Sequence, residues 1–158
     1  MNKHIRKHRR MSGISMVEAL VALVVISVGM LGIAALYLAS MQAGRSANLR
    51  MQAVNLATDM ADHIRANQLG RSFYKAAATD KGESKDCATK TCSAQDIAKN
   101  DIYVWKRAIS EALPANANGQ LTFTDVAGAM TPDVCEVLVT WREPGADVDS
   151  TYKTVVEL

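Results

Sequence analysis

Between Met11 and Gly44 the chain carries a single charged side chain, Glu18. Within that stretch Ala19–Ala39 is apolar apart from Ser27, with glycines at 29 and 32. At about 1.5 Å per residue, a helix of about 20 residues crosses a hydrocarbon core of about 30 Å, so the run is long enough to span a membrane. It is preceded by a basic leader, MNKHIRKHRRMSG, which holds Lys3, Arg6, Lys7, Arg9 and Arg10 and no apolar stretch of its own. A secretory signal places its apolar run before the cut and discards it. Here the run begins after Gly13 and would survive processing. Lys and Arg stay on the cytoplasmic side, which puts the amino end inside and everything after Arg45 outside.

By length and hydropathy alone this is an ordinary signal anchor, and Glu18 is what sets it apart. An acidic residue in a spanning helix costs up to about 2.5–3.5 kcal/mol at the bilayer centre, less near the interface, and usually has a partner. A cut after Gly13 would create an α-amino group on Ile14, about one helical turn from Glu18. That group supplies the opposite charge, from the same subunit or from a neighbour.

The rest of the chain fits one small domain. The full sequence has a formal charge of +2, but the leader holds five of the 18 Lys and Arg, leaving 13 against 16 acids, or −3. Once a tail and a spanning helix are set aside, roughly 90–100 residues remain for a head, enough for one core. No Lys/Arg cluster with interleaved aromatics follows the leader, which argues against nucleic acid as a main ligand.

Leu49, Ala53, Leu56, Met60 and Ile64 recur at spacings of four, three, four and four, with Arg50, Asn55, Asp59, Asp62 and Arg65 largely off that face. The pattern predicts a helix with a docking stripe. It is either the continuation of the apolar helix, bendable at Gly44 and the preferred reading, or a separate helix joined there. Gln68-Leu69-Gly70 is its expected end, with Gly70 as the cap. Residues 70–95 read as a loop containing Cys87 and Cys92. In an oxidising compartment that pair points to a disulfide rather than zinc, for which only Cys135 and His63 remain as further ligands. Cys135 shares an alternating face with Val137, Val139 and Trp141 and is expected as a buried free thiol, with an intermolecular bridge as the alternative. Ser93 caps a second helix, with Asp96 at its third position and Ala98, Ile102, Trp105, Ile109 and Leu113 on one face, and Pro114 ends it. Three strands follow: Gln120–Val126 after a turn at Asn118-Gly119, Val134–Arg142, and Thr151–Leu158, the last two joined through Glu143-Pro144-Gly145-Ala146-Asp147.

Gly13, a hydrophobic residue, then Ser15-Met16-Val17-Glu18-Ala19-Leu20-Val21-Ala22-Leu23 resembles the class III signal of type IV pilins and type II secretion pseudopilins. The resemblance implies cleavage after Gly13 by the prepilin peptidase, N-methylation of Ile14, and a Glu18 that neutralises the amino terminus of an adjacent subunit. Ile14 stands where the family usually has phenylalanine. Ser27-Val28-Gly29-Met30-Leu31-Gly32-Ile33-Ala34-Ala35-Leu36 and Asp59–Asn67 are similar to the PilV-type minor pilins, the type IV pilus modification proteins. So are Cys87 and Cys92, Asp101 with Trp105, and Leu113-Pro114. The implied fold is α+β and type IV pilin-like: a cleaved leader (1–13), a transmembrane half-helix (14–43), an amphipathic half-helix (44–69), and a periplasmic head (70–158) built on a small antiparallel sheet.

The resemblance also implies a role. A minor pilin acts with other minor pilins and the major pilin, through an inner-membrane assembly platform, to prime, cap or modify type IV pili, without catalysis, cofactor or metal. The first location is the inner membrane with the amino terminus cytoplasmic, then the pilus. A minor pseudopilin of type II secretion is the nearest alternative, and a signal-anchored periplasmic enzyme or binding module the third. His63 is the only histidine after the leader, flanked by Asp59 and Asp62 with no paired nucleophile, and is expected to be solvated or capping.

Overall fold

A computed structural model describes residues 15–125 and 133–158. By internal contacts the chain divides into two compact units, Met1–Ala43 and Gly44–Leu158. The first element is a helix of 51 residues, α1 (Met16–Ala66), with Gly44 inside it. In the second unit α1 is followed by a 3-10 helix (Gln68–Phe73), α2 (Ala94–Ala112), β1 (Asn118–Thr124), β2 (Val134–Trp141) and β3 (Ser150–Glu157). The strands form one antiparallel sheet in the order β1-β2-β3. The architecture is α+β, a long amino-terminal helix with a small three-stranded antiparallel sheet, consistent with the fold that the resemblance implies.

The apolar stripe of α1 does what its spacing requires. Ala53, Ala57, Met60, Ala61 and Ile64 are buried, with Leu49 and Leu56 packed against the same core. Alternation places Cys135, Val137, Val139 and Trp141 on the inner face of β2, because successive side chains of a strand point to opposite faces. From α2 come Ala98, Ile102, Trp105 and Ile109, all buried, so helix and sheet share one core. The Trp105 indole donates to the Leu56 carbonyl at 2.9 Å and the Asn67 amide to the Ala94 carbonyl at 2.8 Å. Moving back eleven residues on α1 thus means moving forward eleven on α2, and the two run antiparallel.

Local chemistry sets the ends of α2. The Ser93 hydroxyl accepts the Asp96 N–H at 3.2 Å and donates to the Asp96 carboxylate at 2.6 Å, meeting one of the amide groups a helix start leaves unpaired. At the other end Leu113 is extended, as a residue before proline prefers, and Pro114 stops the helix.

Several expectations are corrected. Gly70 is not a left-handed cap, since only Gly82 and Gly145 have positive φ among the described residues. It lies within the 3-10 helix because a Cβ there would sit 2.5 Å from the Ala94 carbonyl and against the Asn67 side chain. Asn118-Gly119 is no turn but the first pair of β1, where a Cβ on Gly119 would strike the Trp105 ring and the tip of Ile109. The turn falls earlier, closed by the Ala117 N–H on the Pro114 carbonyl at 2.7 Å. The stretch expected as loop from residue 70 holds the 3-10 helix and a bridge that pairs Ala76 with Leu121. Strands two and three run Val134–Trp141 and Ser150–Glu157, one residue from their expected ends, and Val126 lies outside the described residues.

Candidate functional site

The amino-terminal unit is defined by what its side chains lack. From Met16 to Met41 sixteen large apolar side chains are between 53% and 86% exposed, and an 18-residue window of α1 reaches a mean hydropathy of 2.7 with none of it buried. Covering each such side chain is worth about 1.5–3 kcal/mol, so the run leaves upwards of roughly 20 kcal/mol of burial to be found outside this unit. Whole domains are stable by only about 5–15 kcal/mol. The helix therefore belongs in lipid or against other chains. The Ser27 hydroxyl is already satisfied, its Oγ donating to the Leu23 carbonyl at 2.7 Å, as suits a serine in an apolar helix.

Glu18 stands in the first turn of α1, exposed, two residues after the helix begins. The Ala19 N–H on the Ser15 carbonyl at 3.1 Å closes that turn. A carboxylate there also meets the partial positive charge of the helix start, worth about 0.3–1 kcal/mol. Gly13 and Ile14 lie outside the described residues.

In the head, Cys87 and Cys92 are joined as a disulfide with Cα atoms 5.4 Å apart. The Asp86 carboxylate accepts the Thr89 N–H at 3.3 Å and its carbonyl the Lys90 N–H at 3.2 Å, so a hydrogen-bonded turn lies within the bridged ring. Glu83 receives both Lys85 (2.5 Å) and Lys99 (2.9 Å), which lower its carboxyl to about 2. The Lys85 N–H on Asn100 Oδ1 at 3.0 Å ties the same loop to α2.

Cys135 is a buried free thiol, as strand alternation requires. Burial pushes it up to about 11, and its Sγ lies 3.8 Å from the Tyr74 carbonyl. His63 is half exposed, with Nδ1 3.6 Å from Asp101 and Nε2 3.9 Å from Asp59. Asp62, expected beside it, pairs instead with Arg65 at 2.8 Å.

Two polar clusters escaped the sequence reading. Tyr74 is buried, donates its hydroxyl to Asp101 at 2.6 Å and accepts from the Asn67 amide at 3.3 Å. Burial first, and then the Asp101 bond, push its phenol well above the usual tyrosine range. Lys106 gives its ammonium to the carbonyls of Ala77 (2.8 Å), Ala78 (3.2 Å) and Gly119 (2.5 Å), and burial lowers its pKa. The resemblance singles out Asp101, but nothing local pairs it with Tyr74, 27 residues earlier.

Two family models match the chain. Residues 8–34 match the prokaryotic N-terminal methylation motif, and residues 35–103 match the Tt1218-like family, described as type IV pilin Tt1218. No curated protein and no solved structure matches.

Proposed function

We propose, from the premise that this chain is a type IV pilin, that it is a minor pilin, cut after Gly13, methylated on Ile14 and drawn from the inner membrane into a filament. The observation that carries this reading is the pairing of an exposed apolar helix with one carboxylate in its first turn, inside a matched methylation motif. Before assembly the residues from 14 to 43 sit in lipid with the amino end cytoplasmic and the head outside. In the filament the same surface packs against other pilins, and Glu18 receives the methylated amino group of an adjacent subunit. Pairing removes the cost of an isolated charge in a low-dielectric bundle. The role is exercised by packing and not by catalysis.

The partners of such a subunit are the prepilin peptidase, the major pilin, other minor pilins and the inner-membrane platform. The PilV-like segments at 27–36 and 59–67 favour the pilus over a secretion pseudopilus. Co-purification with sheared pili or with secretion components separates the two.

The mass of the amino-terminal peptide from isolated membranes tests the core of the reading. The expected species begins at Ile14 and is one methyl heavier, and a bulky residue at Gly13 leaves the leader attached. A dominant wild-type peptide that keeps Met11-Ser12-Gly13 would return the chain to the plain signal anchors.

A further inference from the structure

The head carries its charge unevenly. Residues 71–111 hold eight Lys and Arg against six Asp and Glu, whereas residues 133–158 hold two against six. The basic stretch borders a groove, although its Arg71 is paired with Asp133 of the acidic stretch at 2.9 Å. An open groove of about 710 Å³ lies beside the 3-10 helix and α2, with Phe73, Ala76 and Ile102 among its lining. Of its acids, Glu83 is engaged by Lys85 and Lys99, and Asp80 accepts the Ala77 N–H at 2.7 Å. Of its other lysines, Lys75 lies 5.4 Å from the Phe123 ring centroid, and Lys81 has no ion-pair partner among the described residues. The charge left over at its rim is positive.

The acidic stretch offers an exposed loop. The β2–β3 loop turns at Gly145, with φ +84°, and is closed by the Ala146 N–H on the Glu143 carbonyl at 3.0 Å. Beyond the turn Val148 is 76% exposed. Asp149 is held by Arg142 at 2.7 Å, while Asp147 has no ion-pair partner among the described residues. An exposed valine beside a free carboxylate matches an apolar lining with a basic rim.

The two surfaces stand at opposite ends of the head. Ser46 Oγ bonds to the Glu143 carboxylate, holding the root of the loop at one end of the buried stretch of α1. At the other end the Asn67 amide holds the start of α2, and with it Gln95 on the groove. Ser46 and Asn67 are 21 residues apart, on the order of 30 Å along a helix. Complementary surfaces at different places on one subunit make a heterologous contact, which repeats from copy to copy as a ring or, where the rotation does not close, as an open array.

We propose that the groove receives the Asp147-Val148 loop of a second copy of this chain, Lys81 facing Asp147 and Val148 covering the apolar lining. The proposal rests on the pilin reading and adds that at least two copies stand next to each other in the assembled state. Cysteines are placed at the exposed rim positions in two differently tagged full-length copies, Ser72→Cys in one and Ala146→Cys in the other, expressed together in a pilus-assembling cell. Mild oxidation should give a mixed-tag dimer from the pair and none from either variant alone. A chain carrying both should give a ladder. Asp147→Lys should lower the yield at least about fivefold, because like charges then face each other, and Lys81→Asp in the receiving copy should restore it. An intact Cys87–Cys92 peptide reports that each variant has folded.

The contrary results are distinct. No mixed-tag product, while Glu18-dependent incorporation into filaments persists, sinks the contact and leaves the pilin reading standing. A dimer from Ala146→Cys alone, or a product with a different pilin identified by mass, overturns the second-copy assignment. Loss of Glu18 dependence itself counts against the pilin reading.

Discussion

One helix, two solvents. Between Met16 and Met41 every large apolar side chain of α1 is more than half exposed, whereas between Ala53 and Ile64 five side chains of the same helix are buried in the head core. The backbone hydrogen bonding is alike in both stretches, so what differs is where stabilisation comes from. In the second stretch it comes from packing within the chain. In the first it must come from lipid or from other chains, since so many exposed apolar groups have no cover of their own. Small residues underline the contrast. Ala53, Ala57 and Ala61 are buried in the head core, while a Cβ added at Gly29, Gly32 or Gly44 would meet nothing within 4 Å.

The sharpest way to break this comparison is Glu18→Ala. Removing the carboxylate removes its desolvation cost, so the protein should still be processed and reside in the membrane. Assembly should fail, because the neighbouring amino group would be left unpaired in an apolar bundle at a cost of about 3–5 kcal/mol. Immunoblots of membranes and of sheared filaments report both outcomes, and normal incorporation would make Glu18 incidental.

Next in size is a matched pair of truncations. Ile64→Ala should cost the head about 2–5 kcal/mol through its cavity, lowering its melting temperature by roughly 10 °C or more. Ile26→Ala should leave that melting temperature unchanged in the detergent-solubilised chain. Near-ultraviolet circular dichroism distinguishes the two, and equal sensitivity would mean that both stretches pack on the head.

Cys92→Ser should destabilise the head by about 2 kcal/mol, the loop-entropy value for so short a ring, with incorporation nearly retained. Denaturant titration gives the number.

The smallest effect is alkaline. Both Cys135 and Tyr74 have raised folded-state pKa values, so the folded head keeps protons that the unfolded chain releases. That stability is complete below the unfolded thiol's pKa of about 8.5 and declines above it as pH rises through the folded values. Unfolding midpoints should therefore drop between pH 8.5 and about 11, and Cys135 should resist alkylation until the head opens. A flat profile would mean that neither group is held by the core.

The sequence carried the repeating features of this fold and missed the singular ones. Period 3.6 found the α1 stripe and α2, period 2 found the inner face of β2, and the Ser93 cap and the Cys87–Cys92 ring are local and chemical. Gly70 and Gly119 depart from the local expectation because glycine has two uses. Local sequence suggests a turn or cap, whereas here the missing Cβ makes room for Ala94 and for the Trp105 ring. Such reasons lie in residues distant along the chain. The same holds for Tyr74 with Asp101 and for Lys106 with its three carbonyls, neither of which leaves a motif. The amino-terminal motif, matched at residues 8–34, is legible because its information is one-dimensional: a basic leader, a glycine, a glutamate and an apolar run.

The Cys87–Cys92 ring also bears on the order in which the head is made. Its two sulfurs are five residues apart and need no distant partner, whereas Ile64 reaches its final core only when Val156, more than ninety residues later, is available. Contacts that close short loops form early, and those that close long ones wait. A head made in chain order therefore has both cysteines in place while β2 and β3 are still to come. The bridge then belongs to the starting material of the folding search, and it narrows the paths by which the loop and α2 find the waiting face of α1.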